Sequence, residues 1–159
     1  MTILITGANG FLGQYLCTSL ANKGFKVIAT SRGICKIFNV KGIKYQSVDV
    51  TKKEDVVAIL AIEKPDIVIH NAAMSKPDIC NTNQAECILQ NVTATSYILD
   101  GCKLINPYFI YISTDFVFGE GGPYDETVTP APLNFYGQSK LIAEQLVLAS
   151  NLQVAIVRP

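Results

Sequence analysis

A chain of 159 residues, 49% of them hydrophobic, suits one domain with a sizeable core. Its 13 basic and 13 acidic residues cancel, so no overall charge draws it to nucleic acid or to an anionic membrane, although a local pocket can still take a small anion. No run approaches the eighteen or so apolar residues of a membrane span.

The first predicted element is the apolar run TILIT at 2–6, which reads as a strand covered on both faces. Behind it Phe11, Leu12, Tyr15, Leu16, Ser19 and Leu20 recur at helical spacing as far as Gly24, a helix stop. KVIAT (26–30) and IKYQSVDV (43–50) read as the second and third strands. TKKEDVVAILAIEK (51–64) reads as a helix with Thr51 as N-cap and Glu54 closing a capping box. PDIVIHNAA (65–73) is a fourth strand running into a turn of small residues. A long helix is expected over about 84–104, with Ile88, Leu89, Val92, Ile98, Leu99 and Cys102 along one side. YFIYIST (108–114) is the fifth strand, and a loop of some twenty residues rich in glycine and proline follows; a loop of that length usually has a function. FYGQSKLIAEQLVLAS (135–150) is the last helix and QVAIVRP (153–159) the last strand.

Strands and helices alternate, and the strands are too apolar to be half exposed. That pattern predicts an α/β fold: a Rossmann-like, doubly wound parallel sheet with helices on both faces, forming a single domain over 1–159. Right-handed crossovers then place ligands at the carboxyl ends of the strands. The five cysteines, Cys17, Cys35, Cys80, Cys87 and Cys102, include no CxxC pair, and read as reduced thiols, mostly buried, in a reducing compartment. The N-terminus MTILITG has neither the basic region nor the cleavage site of a signal peptide, so a cytoplasmic protein is expected. No cluster of metal ligands stands out.

ITGANGFLG sets Gly7, Gly10 and Gly13 at the first strand-to-helix turn, spaced GxxGxxG. Gly7 would turn the chain out of the strand, Gly10 would admit a pyrophosphate to the backbone, and Gly13 would let the helix approach the sheet. A glycine-rich turn that binds nothing is the alternative. At the end of the second strand stand Thr30, Ser31 and Arg32, without the acid that would accept from a ribose 2′-hydroxyl. Ser31 and Arg32 could instead hold a 2′-phosphate, so NADP(H) is preferred, with NAD(H) left open and a solvated surface arginine as the plain alternative. Asp49 is placed to meet an adenine, or to serve as a turn residue.

YGQSK places Tyr136 and Lys140 at i and i+4, on one helical face. An ammonium beside a phenol lowers its pKa and makes it a usable acid or base. Ser113 and Thr114 end the fifth strand, where a hydroxyl can orient a carbonyl. YxxxK alone is common on amphipathic helices; the order of glycine turn, Ser-Thr, then Tyr and Lys is what makes it informative.

The chain resembles the extended short-chain dehydrogenases/reductases, and within them the dTDP-4-dehydrorhamnose reductases. The stretches that carry the resemblance are ILITGANGFLG, DV at 49–50, PDIVIHNAA, NV at 91–92, YISTDFVF, GPYDE, PLNFYGQSKLIAE and IVRP. The resemblance implies that Thr114, Tyr136 and Lys140 are catalytic. It implies a cofactor held by Gly7, Asn9, Gly10, Phe11, Leu12 and Gly13, by Ser31 and Arg32, by Asp49 and Val50, and by Asn71, Ala72 and Ala73, with Tyr136 and Lys140 at its reactive end. Asn91 would order a water near the lysine, or be a polar residue satisfied within helix packing. His70, the one histidine, is read as structural. The implied reaction is NADPH-dependent reduction of the 4-keto group of a nucleotide sugar; an epimerase or dehydratase holding NAD, or a regulatory subunit without turnover, are the alternatives. Family members continue into a smaller substrate-gripping region, so this chain is expected to bind NADP(H) but to turn over slowly or not at all, and exposed apolar surface would favour a homodimer.

Overall fold

A computed structural model of the chain describes residues 1–37 and 41–159. Among these, six parallel strands form one sheet: β1 (Thr2–Thr6), β2 (Lys26–Ser31), β3 (Ile43–Ser47), β4 (Ile67–His70), β5 (Tyr108–Ile112) and β6 (Val154–Val157), in the order β3-β2-β1-β4-β5-β6. The helices are α1 (Phe11–Asn22), α2 (Lys53–Glu63), α3 (Pro77–Thr82), α4 (Gln84–Ile88), α5 (Ala94–Lys103) and α6 (Phe135–Leu148). The expected doubly wound sheet is present.

Both faces of the sheet are covered, which is why the strands are apolar at consecutive positions. Leu4, Ile28, Val68 and Phe109 belong to one core with Leu60, Ile98, Leu99 and Val147 from α2, α5 and α6. Ile3, Ile5, Val27 and Ala29 belong to the other, with Cys17 and Ala21 of α1. Register keeps the layers level: Leu4 lies opposite Ile28 and Val68, and Thr6 opposite Thr30 and His70. The strand order reverses between β1 and β4, and the crevice at the carboxyl ends of these two strands is where such sheets bind ligands.

Several elements differ from the sequence pattern. The contact face of α1 is the small-residue row Gly13, Cys17 and Ala21, which lets the helix lie close to the sheet. The larger Phe11 and Tyr15 turn outward, at 97% and 70% exposure. The capping box at α2 does not form. The helix starts at Lys53 without a side-chain cap, because Thr51 gives its N–H and hydroxyl to Asp49 Oδ1, at 3.0 and 2.7 Å. The expected long helix is broken: α4 passes through a π-helical turn, Leu89–Thr93, into α5, and α3 precedes it where no element was expected. β3, β4 and β5 stop two or three residues before the apolar pattern does. The residues that follow them leave the sheet to line the crevice.

Four of the five cysteines are buried, Cys35 is partly so, and all five are free thiols. Among the described residues no helix is long and apolar enough to cross a membrane.

Candidate active site

The crevice opens into a cleft of about 420 Å³ along the strand ends. At its floor the chain leaves β1 through Gly7, whose φ of +67° is left-handed. An added Cβ there would stand 2.8 Å from Ala72 Cα. The turn closes with Gly10 N–H on Gly7 O at 3.0 Å. The first helical hydrogen bond of α1 runs from Gln14 N–H to Gly10 O, and Gly10 offers no side-chain cap. The N–H groups of Phe11, Leu12 and Gly13 therefore have no partner within the helix, and with the helix dipole they form a site for an anion.

Gly7, Gly10, Phe11 and Leu12 line this floor; Ser31, Arg32 and Val50 line the β2–β3 end; Asn71, Ala72 and Ala73 line the middle; and Tyr136 and Lys140 line the far end. Five residues singled out from the sequence lie behind the lining. Gly13 is buried under α1. Asn9 ties the glycine turn to the chain after β2, donating to Arg32 O (3.2 Å) and Ile34 O (2.9 Å) and accepting from Lys36 N–H (2.9 Å). Asp49 holds Thr51. Burial would raise its carboxyl, but the Thr51 hydrogen bonds and the nearby Arg32 charge outweigh that and keep it below the usual range. Asn91 is enclosed between Met74 and Ser139. Thr114 is 7% exposed and receives Phe116 N–H at 3.2 Å.

The cleft also takes in Val48, Thr51, Ser75, Gln90, Ile112 and Ser113. Ser75 extends the small-residue turn after β4, a usable signal. Gln90 has none: on an unbroken helix it would face elsewhere, and the π-helical turn brings it round. Arg32 Nη2 stands 3.5 Å from Gln90 Oε1, across the mouth of the cleft. Ser113 Oγ is buried with no hydrogen-bond partner among the described residues.

At the far end, α6 starts hard against the turn Asp115–Val117. Asn134 caps it through Gly137 N–H at 2.8 Å, and Asn81 of α3 accepts from Phe135 N–H at 3.0 Å. A Cβ on Gly137 would fall 2.1 Å from Phe116 O, so only glycine permits this approach. It brings the Tyr136 phenol to the Thr114 hydroxyl. Burial raises the Tyr136 pKa, and the Thr114 hydrogen bond offsets part of the rise. The expected lowering by Lys140 does not occur. The lysine is itself 2% exposed and donates to Ile112 O at 2.7 Å. Its Nζ sits 4.1 Å from the centre of the Tyr111 ring, and burial brings its pKa down to about 7.

His70 lies under the cleft in a continuous chain of hydrogen bonds. Thr6 Oγ1 accepts from the N–H groups of Asn71 and Ala72 (3.1 and 3.0 Å), so its own proton goes to His70 Nδ1 at 2.7 Å. The other ring nitrogen donates to Thr95 Oγ1 (2.9 Å), whose hydroxyl donates to Asn91 O (2.6 Å). The ring is neutral: burial, and then the Lys140 charge, take its pKa to about 3. It ties β1, β4 and α5 together, consistent with a structural role.

A family model described as RmlD substrate binding domain matches residues 1–159. The chain is 31% identical to methionine adenosyltransferase 2 subunit beta of Rattus norvegicus, over 98% of this chain and 45% of that protein. It is 35% identical to the probable low-salt glycan biosynthesis reductase Agl14 of Haloferax volcanii, over 99% of this chain and 52% of that one. The crystal structure of dTDP-4-dehydrorhamnose reductase from Bacillus anthracis in complex with NADP superposes with a TM-score of 0.83 at 30% identity, covering 99% of this chain and 52% of that one. The chain thus spans about half the length of the curated relatives it matches.

Proposed function

The chain belongs to the RmlD substrate binding domain family, and we propose that it is the cofactor-holding part of an NADPH-dependent reductase. Its substrate would be a 4-keto nucleotide sugar, as for dTDP-4-dehydrorhamnose reductase. One observation carries this reading: a single cleft joins the uncapped N-terminus of α1 to Tyr136 and Lys140.

The residues fit such a cofactor along its whole length. The free N–H groups of α1 suit the diphosphate. Ser31 and Arg32, at the end of a strand that carries no acid there, suit a 2′-phosphate. Ala72 and Ala73 leave room for the sugar rings. A bound nicotinamide supplies the hydride. The Thr114 hydroxyl, with Ser113 beside it, positions the substrate carbonyl, and Tyr136 donates a proton to the carbonyl oxygen. A phenol raised by burial stays protonated at neutral pH, as a proton donor must. Lys140 holds the ribose that precedes the reactive ring.

A second reading is favoured by the relatives named methionine adenosyltransferase 2 subunit beta, which bear a subunit's name: the same cleft would bind nucleotide while the chain contacts a partner. It gives Tyr136 and Lys140 no task. Fluorescence titration with NADPH and NADH, followed by nucleotide-sugar ketone, separates the readings. The reductase reading expects tighter NADPH binding by this chain and, once the chain is extended to the length of its relatives, oxidation that Tyr136→Phe abolishes while binding persists. Binding without turnover in that longer protein, unchanged by Tyr136→Phe, supports the subunit reading. If neither nucleotide binds, both readings fail.

A further inference from the structure

Lys140 is deeply buried, yet its two close contacts, the Ile112 carbonyl and the Tyr111 ring, carry no net charge. The titratable groups facing it are His70 from β4, Tyr111 from β5, Cys87 from α4, and Tyr136 and Glu144 from α6. Only Glu144 is a carboxylate. It stands one turn below the lysine, at i+4 on the same face of α6. It is 1% exposed, too enclosed to be held by water.

Arg158, just after β6, grips it from the far side. Nε donates to Oε1 at 3.0 Å and Nη2 to Oε2 at 2.6 Å, while the guanidinium lies 5.1 Å over the Phe118 ring. A buried ion pair is a weak source of stability, and an apolar pair of similar volume would commonly serve the packing as well. Its position suggests another reason for it. Lys140, Glu144 and Arg158 alternate in charge, plus, minus, plus, from the buried lysine at the reactive end of the cleft to a partly exposed arginine.

We propose that Glu144, oriented by Arg158, is a positioning residue that keeps Lys140 charged at the cleft. The inference rests on the reading of Lys140 as the residue that holds the cofactor ribose. Burial works against the ammonium and brings its pKa down to about 7, and the carboxylate works in the opposite direction. Arg158 draws part of the carboxylate's field to itself. It therefore governs how much negative charge the lysine feels.

The test is a pH titration of the lysine Cε signals by NMR in protein labelled with 13C-lysine, with Lys140→Met to identify the signal. The Lys140 midpoint is expected near 7. Glu144→Gln should lower it by about one unit, and Arg158→Gln should raise it. General loosening of the core would move both variants upward, toward the solvent value, so opposite signs separate coupling from a structural role. A midpoint that Glu144→Gln leaves in place, with the circular dichroism spectrum retained, overturns the proposal. If either single variant fails to fold, Glu144→Gln/Arg158→Gln leaves no unpaired charge, and its midpoint should still fall below that of the wild type. In the same Glu144→Gln protein, the affinity for NADPH at pH 7 should weaken by up to roughly five-fold, the loss of charged lysine that a one-unit shift implies, and should recover at lower pH. The NMR midpoint needs no cofactor. Failure to bind NADPH would therefore count against the proposed function and leave the coupling of Glu144 to Lys140 standing, and an unmoved midpoint would count against this inference alone.

Discussion

Gly10 and Gly13 look alike in the sequence and are asked for different things by the structure, so replacing each with alanine should give different results. Gly10 has φ −74° and ψ 167°, which any residue adopts. An added Cβ would meet only Gly7 O, at 3.2 Å, a contact that a shift of a few tenths of an ångström relieves. A small gain from a stiffer unfolded chain offsets that strain, so Gly10→Ala should change stability by less than about 1 kcal/mol. The same methyl projects where a diphosphate must approach the backbone, so NADPH binding should be lost or weakened more than tenfold. At Gly13 the Cβ would fall 2.2 Å from Gly7 O and 2.8 Å from Ala8 Cα. Both are backbone atoms, and neither can swing aside. Alanine in place of a helical glycine ordinarily stabilises by about 1 kcal/mol, but the clash should reverse the sign. Overpacking against backbone belongs at or beyond the upper end of the usual range, about 3 kcal/mol, which for a chain of this size lowers Tm by roughly 6–12 °C. Thermal melts by circular dichroism, paired with NADPH fluorescence titration of each variant, measure both quantities. If Gly10→Ala is as unstable as Gly13→Ala, the steric contrast between the two glycines is refuted; if Gly10→Ala binds NADPH like the wild type, the cleft does not hold the diphosphate at this turn.

Further predictions follow from the charges. Arg32→Ala should weaken NADPH more than tenfold, the worth of a lost charge-assisted pair of about 1.5–3 kcal/mol, and leave NADH within about twofold; equal weakening of both would remove the 2′-phosphate assignment. His70 titrates near 3 when folded against 6.5 unfolded. As pH falls below 6.5 the unfolded chain therefore takes up a proton that the folded chain refuses, and stability should drop by up to about 1.4 kcal/mol per pH unit. Urea melts between pH 7 and 5 should show a shallower slope for His70→Gln than for the wild type, and parallel slopes would refute a neutral buried imidazole. Lys140 loses its proton as pH rises through about 7, so NADPH affinity should decline from pH 6 to pH 8.5, and Lys140→Met should flatten that profile.

The legible part of the molecule was what chain-local chemistry encodes. Continuous β-branched runs announced strands buried on both faces, and their alternation with helices implied the winding. The glycine turn and YGQSK could be read because their chemistry lies in backbone freedom and residue type. Periodicity follows bulk and so marks only part of the contact face of α1: Leu16 and Leu20 pack against the core, whereas Gly13, Cys17 and Ala21 make the close approach by being small. Gln90 is illegible because the π-helical turn Leu89–Thr93 breaks the helical period: Ile98, Leu99 and Cys102 join the core, whereas Ile88, Leu89 and Val92 of the expected apolar side do not. The direction of the Tyr136 shift was missed for another reason. Spacing showed the phenol and the lysine as neighbours on a helix, but not that both would be buried or that the ammonium would turn to the Ile112 carbonyl.

Asn91 shows how the two kinds of information combine. The sequence offered it two roles: a holder of water beside Lys140, or a polar group satisfied by packing. Its Oδ1 accepts Met74 N–H at 2.7 Å, and its Nδ2 donates to Met74 O at 3.1 Å and to Ser139 Oγ at 2.9 Å. The amide thus pairs with Met74 as a neighbouring strand would, and both of its N–H bonds are taken. It fastens the segment carrying Ala72, Ala73 and Ser75 to the helix carrying Tyr136 and Lys140. Asn91→Ala would strand the Met74 N–H, while the Met74 carbonyl keeps the Cys80 thiol at 3.3 Å and the Ser139 hydroxyl keeps its bond to Tyr136 O at 2.7 Å. One orphaned donor and a weakened acceptor cost about 1–2 kcal/mol, a fall in Tm of about 2–8 °C. Asn91→Asp should do no better, because a carboxylate keeps the acceptor for Met74 N–H but sets an oxygen against the Met74 carbonyl. The clamp requires stability and NADPH affinity to fall together in both variants. An Asn91→Ala protein that melts like the wild type but binds NADPH poorly would instead assign the amide to the cofactor side of the cleft.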